Sequence, residues 1–406
     1  MGRLLFLTHR LPYPPDKGDR IRSWHMLDHL ARRWEVDLGC LSDDPADAEH
    51  LPMLRQRCAA VHCEPIAGGA LAALRTLSRA RPGLPLTLGW FHAPGLQAWV
   101  EASLATRRHD AVFVYSSAMA PYVMRGPRVA RRVLDLVDVD SEKWRAYAAA
   151  AHPPRRQLWA REARTLLAFE RRAACFFDRT LLVSEPECAR FLDLAPEARG
   201  RAGWVENGVD LDVFDPGVPH ADPYPPGAPA LVFTGTMDYP PNIEAVRDLA
   251  REVLPRLRAQ PGPAPEFHIV GARPTAEVRA LAALPGVHVT GRVPDTRPYI
   301  AHAAAAVAPL RVARGIQNKV LEAMAMARPV IASTPAFEGI KAMPGRDLLV
   351  SDGAEATAQA VRAVLRGEWP GLGAAARAAV ATGHDWAVTL GPLDAMLRVR
   401  EAALVV

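Results

Sequence analysis

The chain has 406 residues, half of them apolar, 23% charged and 7% aromatic, which gives room for two domains with buried cores and excludes a disordered or metal-stapled peptide module. A net charge of +5 is small against 49 basic and 44 acidic residues and does not by itself imply nucleic acid. No window approaches the roughly 18 uninterrupted apolar residues of a membrane helix, and the apolar run at 1–7 is too short for a secretory leader, so a cytoplasmic protein is expected.

Residues 4–8 form a short apolar run, 9–18 a Pro-rich loop, and 19–34 repeat apolar residues at helical spacing: a strand, a loop and a helix. Residues 35–41 alternate as a second strand, followed by a helix near 46–58, a strand at 61–63 and a helix at 69–79. Strands at 111–115, 132–136 and 180–183 continue the series, with a long Arg-rich helix over 155–177. Alternating β and α units of this length predict a parallel sheet covered on both faces, one Rossmann-like domain over 1–206. Pro and Gly are dense over 207–229 and periodicity vanishes there, so this stretch is the expected hinge. A second series fills 230–385, with strands at 230–234, 267–270, 287–289, 306–308 and 329–332 and helices at 241–258, 275–284, 296–304 and 316–327. The expected fold is therefore α/β, two Rossmann-like domains facing across a cleft, with a C-terminal helix in 386–406 packing back on the first. Ligands of such sheets bind outside the carboxyl ends of the strands, and closure would come from hinge motion.

The composition is strongly biased against Lys and Asn, so the residues that escape it mark candidate chemistry: Lys17, Lys143, Lys319 and Lys341, and Asn207, Asn242 and Asn318. The cysteines Cys40, Cys58, Cys63, Cys175 and Cys188 include no CxxC pair and suit reduced thiols. Cys58, His62 and Cys63 are the one sequence cluster worth a zinc test.

The densest chemistry lies at 309–333. A strand ends at Pro309, Gly315 allows a tight turn, and a helix opening at Ile316 leaves free N–H groups that suit a phosphate. Arg311, Arg314 and Lys319 lie within two turns and can neutralise a diphosphate, and Glu322, three residues after Lys319, is placed to accept from ribose hydroxyls. A solvated helix start is the other account of the same residues. Residues 291–294 can present backbone groups to a base. In the first domain His9, Asp16, Lys17, Gly18, Asp19 and Arg20 follow the first strand, and Asp138, Asp140, Ser141 and Lys143 follow the strand at 132–136. Both groups suit an acceptor, and helix capping by Asp19, Asp140 or Ser141 accounts equally well for part of them. The helix at 155–172 carries six arginines among Leu158, Trp159, Leu166, Leu167 and Phe169, which fits peripheral contact with anionic lipid or a solvated basic face over a packed apolar one.

Residues 315–333, Gly-Ile-Gln-Asn-Lys-Val-Leu-Glu-Ala-Met-Ala running into Pro-Val-Ile-Ala-Ser, resemble the donor-binding segment of group 1 (family 4-like) glycosyltransferases of the GT-B fold. Asn207-Gly208-Val209-Asp210 with Phe214, and the stretch from Phe233 to Asn242, are similar to the entry and the first strand–turn–helix of the same donor domain. The segments 9–20 and 135–144 resemble sugar transferases associated with PEP-CTERM/exosortase exopolysaccharide systems. The resemblance implies a nucleoside-diphosphate sugar as donor substrate, a glycan or polyprenyl-linked acceptor, no metal or other cofactor, no nucleic acid, and retention of configuration. It places Glu322 on the ribose; in the absence of the family's usual cations after the first donor-domain strand, Arg311, Arg314 and Lys319 are expected to take over the diphosphate, with further candidate donor contacts at Gly235, Asn242, Gly271, Gly291, Val293, Gly315, Ile316, Gln317 and Asn318. The family's first acidic residue, eight positions before Glu322, is Arg314 here, and 235–242 carries no cation. Asp138 or His9 is a candidate general base if the transfer inverts. Two rival functions share the scaffold: a nucleotide-sugar epimerase and a non-catalytic donor-binding protein.

Overall fold

A computed structural model describes residues 1–15, 18–66, 68–106, 108–127, 129–259, 261–262, 264–313 and 315–397. The chain divides into two units, Met1–Glu206 with the segment from Leu390, and Asn207–Thr389.

The first unit is built on seven parallel strands: β1 (Gly2–Thr8), β2 (Trp34–Ser42), β3 (Ala60–Pro65), β4 (Ala111–Tyr115), β5 (Arg131–Val137), β6 (Arg179–Leu182) and β7 (Ala202–Trp204). Their order is β3-β2-β1-β4-β5-β6-β7. Leu4, Leu5, Phe6 and Leu7 of β1 and all five residues of β4 are buried, as central strands with helices on both faces must be. The helix expected to reach residue 34 stops at Ala31, because Trp34 already opens β2. β7 has three residues, too few for periodicity to reveal. In the helix Arg155–Phe176 the residues Leu166, Phe169 and Ala173 are buried in the core, so its main apolar face is spent on the fold and its arginines form the solvated side. The helix Gly391–Leu397 belongs to this unit: Leu393 and Leu397 are buried, Asp394 Oδ1 lies 3.1 Å from His29 Nε2, and Arg131 Nε donates to Met396 O at 2.6 Å. The rest of the expected C-terminal helix lies outside the described residues.

The second unit has six parallel strands, β8 (Ala230–Thr234), β9 (Glu266–Val270), β10 (Val287–Gly291), β11 (Ala305–Ala308), β12 (Val330–Ala332) and β13 (Leu349–Val350), in the order β10-β9-β8-β11-β12-β13. β13, a two-residue edge strand, was not legible as a strand. The segment 207–229, expected as a hinge, is fastened to this unit. Arg377 Nη1 donates to Phe214 O at 2.8 Å, and Tyr224 Oη donates to Tyr299 O at 2.6 Å. Gly208 is packed so closely that a Cβ there would lie 2.8 Å from His384 O. In both sheets the strand order reverses beside the first strand, β1 next to β4 and β8 next to β11, and such switch points are where α/β sheets bind ligands.

Candidate functional site

In the second unit the loops leaving β8, β9, β10 and β11 meet at the carboxyl edge of the sheet. The loop after β8 starts at Gly235 and the loop after β9 at Gly271, with φ of 154° and 153°. The two backbones touch: a Cβ on Gly271 would lie 1.7 Å from the Gly235 carbonyl oxygen, an approach only glycine permits. The Gly271 amide donates to Gly291 O at 3.2 Å, which joins the loop after β10 to the same row.

Asn242 lies in the first turn of the helix Pro240–Asp248 and is buried. Its Nδ2 donates to Thr236 O at 2.9 Å, and its Oδ1 accepts from Lys319 Nζ at 2.9 Å. Lys319 Nζ also sits 4.9 Å from the centroid of the Phe233 ring, a cation–π contact. The helix bearing Lys319 runs Asn318–Ala325, two residues shorter at its start than expected, and no side chain caps it. Gly315, with φ 63°, turns the chain into it, and Gln317 Nε2 donates back to Gly315 O at 3.1 Å. Ile316 is buried against Gly339, and Ser333 Oγ donates to Leu310 O at 2.6 Å, so the loop after β11 is fixed from both ends. With no side chain capping it, this first turn leaves helix-start amides of the kind that suit a phosphate. Asn318 Oδ1 is buried with no hydrogen-bond partner among the described residues.

Burial pushes Lys319 down to about 8, against the pull of Glu322, and burial pushes Glu322 up to about 7, against the pull of Lys319. Both are half-buried and titrate near neutrality, so an anion beside Lys319 keeps it charged and a hydroxyl donor beside Glu322 keeps it ionised.

Arg311 is placed differently from the sequence expectation. It is exposed, and its Nε lies 2.6 Å from Asp248 Oδ2, at the opposite end of the helix that carries Asn242 in its first turn. A guanidinium so engaged is half of a surface ion pair before it is a phosphate clamp. Arg314 lies outside the described residues. A cation outside the sequence expectation is Arg273, two residues beyond Gly271, whose Nε is 3.0 Å from Asp238 Oδ2; it bridges the loops after β9 and β8. A cation just past a strand-ending glycine was its signal. Val293 is half-buried, packed against the core edge.

In the first unit His9 follows β1. Its ring stacks on Tyr115 at 5.8 Å and meets Phe91 edge-on at 5.4 Å, and its Nε2 lies 3.7 Å from Asp19 Oδ2. Burial pushes His9 down to about 4, with Asp19 opposing, so the imidazole is neutral at neutral pH. Its Nδ1 has no hydrogen-bond partner among the described residues. Asp19, beside Gly18 at the start of the helix Gly18–Ala31, is paired with Arg10 at 2.9 Å. Arg20 is buried on Asp47 at 2.9 Å and braces the fold. Asp16 and Lys17 lie outside the described residues.

At the end of β5, Val137 adopts φ 68°, a strained conformation for a β-branched residue. The Val137 amide donates to Asp135 Oδ1 at 3.0 Å, and the buried Asp135 is clamped by the buried Arg22, whose Nε lies 2.8 Å from Oδ2. This turn presents Asp138, an exposed residue that desolvation of its carboxyl and then the Glu187 and Asp140 charges push up to about 6. Burial likewise raises Asp140. Ser141 points inward, contrary to an acceptor role: its amide and hydroxyl both donate to the buried Glu170, at 3.1 and 2.6 Å. Lys143 is exposed. Ser116, at the end of β4, is a second strained residue with φ 80°; only the strand order, which sets β4 beside β1, marks it. Of the sequence zinc cluster, Cys63 stands opposite Cys40 in the β2–β3 register, and His62 stacks on Trp99 at 5.3 Å. Successive strand residues face opposite ways, so those two side chains diverge.

Residues 228–367 match the family described as Glycosyl transferases group 1. No curated protein matches the sequence. Among solved structures the chain is similar to sucrose-phosphate synthase from Thermosynechococcus elongatus, at 19% identity over 98% of this chain and 99% of that one, with a TM-score of 0.69. It is similar to Anabaena Alr3699/HepE in complex with UDP and glucose, at 14% identity over 98% and 99%, with a TM-score of 0.67. It is also similar to WaaG, a glycosyltransferase involved in lipopolysaccharide biosynthesis, at 14% identity over 97% and 99%, with a TM-score of 0.64. The fold is therefore GT-B, and residues 228–367 are a group 1 glycosyltransferase domain.

Proposed function

We propose that this chain, with its group 1 glycosyltransferase domain, moves a sugar from a nucleoside-diphosphate sugar to a glycan or lipid-linked acceptor. The setting is exopolysaccharide or other cell-surface polysaccharide synthesis, in the exosortase-associated subgroup. The observation that carries the donor half of this reading is Lys319, held by Asn242 and Phe233 beside the uncapped turn of Asn318–Ala325. Lys319 and those amides would neutralise the departing diphosphate, a charge-separation problem that oriented dipoles and one cation address without a metal. Glu322 would accept from the ribose hydroxyls. Gly235 and Gly271 let the loops after β8 and β9 touch beside Lys319, whose Cε lies 3.4 Å from where a Cβ on Gly235 would stand. The neighbour solved with UDP and glucose supports the donor class. On the acceptor side Asp138, on its strained turn, and the neutral His9 are the groups able to take a proton. Any peripheral membrane contact would come through the arginines of 155–172.

Thermal-shift screening against UDP, GDP, ADP, CMP and NAD without added metal tests the donor site. One nucleoside diphosphate should raise the melting temperature, and Glu322→Ala should abolish both that shift and donor turnover. Wild-type-like turnover in Glu322→Ala would remove the assignment. Arg314 in place of the family's carboxylate favours one rival, a donor-binding protein that does not turn over. That rival predicts the shift with no sugar transfer or donor hydrolysis.

A further inference from the structure

A second polar cluster lies in the donor domain, at the ends of β9 and β10 opposite to Gly271 and Gly291. Glu266 and His268 are two residues apart on β9 and so share a face. His288, on β10, stands directly opposite His268 in the register. The two imidazoles stack with centroids 4.5 Å apart and planes 11° apart, and His288 Nε2 lies 2.9 Å from Glu266 Oε2. One donor atom from each of the three lies within 4.8 Å of the others. His268 is 4% exposed, and its Nε2 has no hydrogen-bond partner among the described residues. A buried imidazole nitrogen left unpaired calls for an explanation. Tyr224 packs on His268 at 4.4 Å but spends its hydroxyl on Tyr299 O, so it walls the cluster without offering a ligand.

We propose that Glu266, His268 and His288 bind a divalent first-row transition ion of the zinc class, outside the donor site. Two imidazoles and one carboxylate are the donor set that suits zinc, cobalt or nickel, and too nitrogen-rich for magnesium or calcium. In the arrangement seen, the proton shared by His288 and Glu266 occupies the place the ion takes. A tetrahedral ion with nitrogens at about 2.0–2.1 Å sets donor atoms roughly 3.3 Å apart, so on binding the Glu266–His288 pair opens slightly from 2.9 Å while the other pairs, within 4.8 Å, settle to the same spacing. His288, whose side chain is 43% exposed, is the member free to turn, while Tyr224 fixes His268. The ion would tie the starts of two neighbouring strands together, with water in the remaining position. His268 is three residues, roughly 10 Å of strand, from Gly271, so this ion takes no part in sugar transfer and the inference stands apart from the donor reading.

The test is titration of the chelator-treated full-length protein with Zn2+ against a chromophoric chelator, and with Co2+ read by its visible ligand-field bands. The wild type should bind one equivalent, with Co2+ giving a four-coordinate spectrum, and Zn2+ should raise the melting temperature. His268→Ala and His288→Ala should each weaken binding by roughly a hundredfold or more, beyond the 10- to 100-fold typical of outer-shell partners, and lose the melting shift. Should the buried His268→Ala fail to fold, the exposed His288→Ala decides the matter alone. Zn2+ bound equally well by His288→Ala, or no saturable binding by the wild type, overturns the proposal.

Discussion

Replacing Lys319 by methionine keeps an unbranched stem over the Phe233 ring and removes one charge. In the free protein that charge is under a desolvation penalty, since burial pushes Lys319 down to about 8. A depressed lysine makes the fold less stable below the folded value than above the unfolded one, so below about pH 8 Lys319→Met should melt no lower than wild type. Asn242 loses its 2.9 Å donor but keeps its bond to Thr236 O. Nucleotide binding should move the other way. A hydrogen bond to a charged group contributes about 1.5–3 kcal/mol, so the Kd for the preferred nucleoside diphosphate should rise roughly 10- to 150-fold. Isothermal titration calorimetry across the neutral to alkaline range reads both size and pH dependence. Wild-type affinity should fall as pH rises through about 8, where free Lys319 gives up its proton, and as pH drops through about 7, where Glu322 takes one up. In Lys319→Met the alkaline limb should vanish. A variant that binds within twofold of wild type, or keeps that limb, refutes the placement of the diphosphate at Lys319.

Gly271→Ala forces a Cβ to 1.7 Å from Gly235 O; the displaced loops should lower stability by about 2 kcal/mol or more, roughly 4–8 °C in melting temperature for a domain this size, and weaken nucleotide binding. An unchanged melt would mean the loops part freely. Arg22→Met strands the buried Asp135 carboxylate and should destabilise by about 3–5 kcal/mol, with Arg22→Met/Asp135→Asn recovering much of it in denaturant titrations; equal losses in both would show that the charge pairing is not the cause. Glu170 is pushed up to about 8 by burial, against the Ser141 hydrogen bonds, so its contribution is fully present below pH about 4.5 and lost as pH rises through about 8. Glu170→Gln keeps both Ser141 contacts and should flatten the pH dependence of the melt in that window; a profile parallel to wild type would refute it.

The two βα series were legible in the sequence because hydrophobic period and Gly/Pro punctuation are local, and so was the Lys319–Glu322 spacing on one helix, with Gly315 as the turn before it. The strand orders, the contact of Gly235 with Gly271, the reach of Lys319 to Asn242 across 77 residues, the loss of Arg311 to Asp248 and the inward turn of Ser141 were decided only by tertiary structure. So was the pairing of His268 with His288. Each depends on which strand lies beside which and in what register, and a one-residue slip in register reverses every side chain along a strand. Periodicity reports which face of an element is buried, while the partner that buries it is chosen by the packing of the whole sheet.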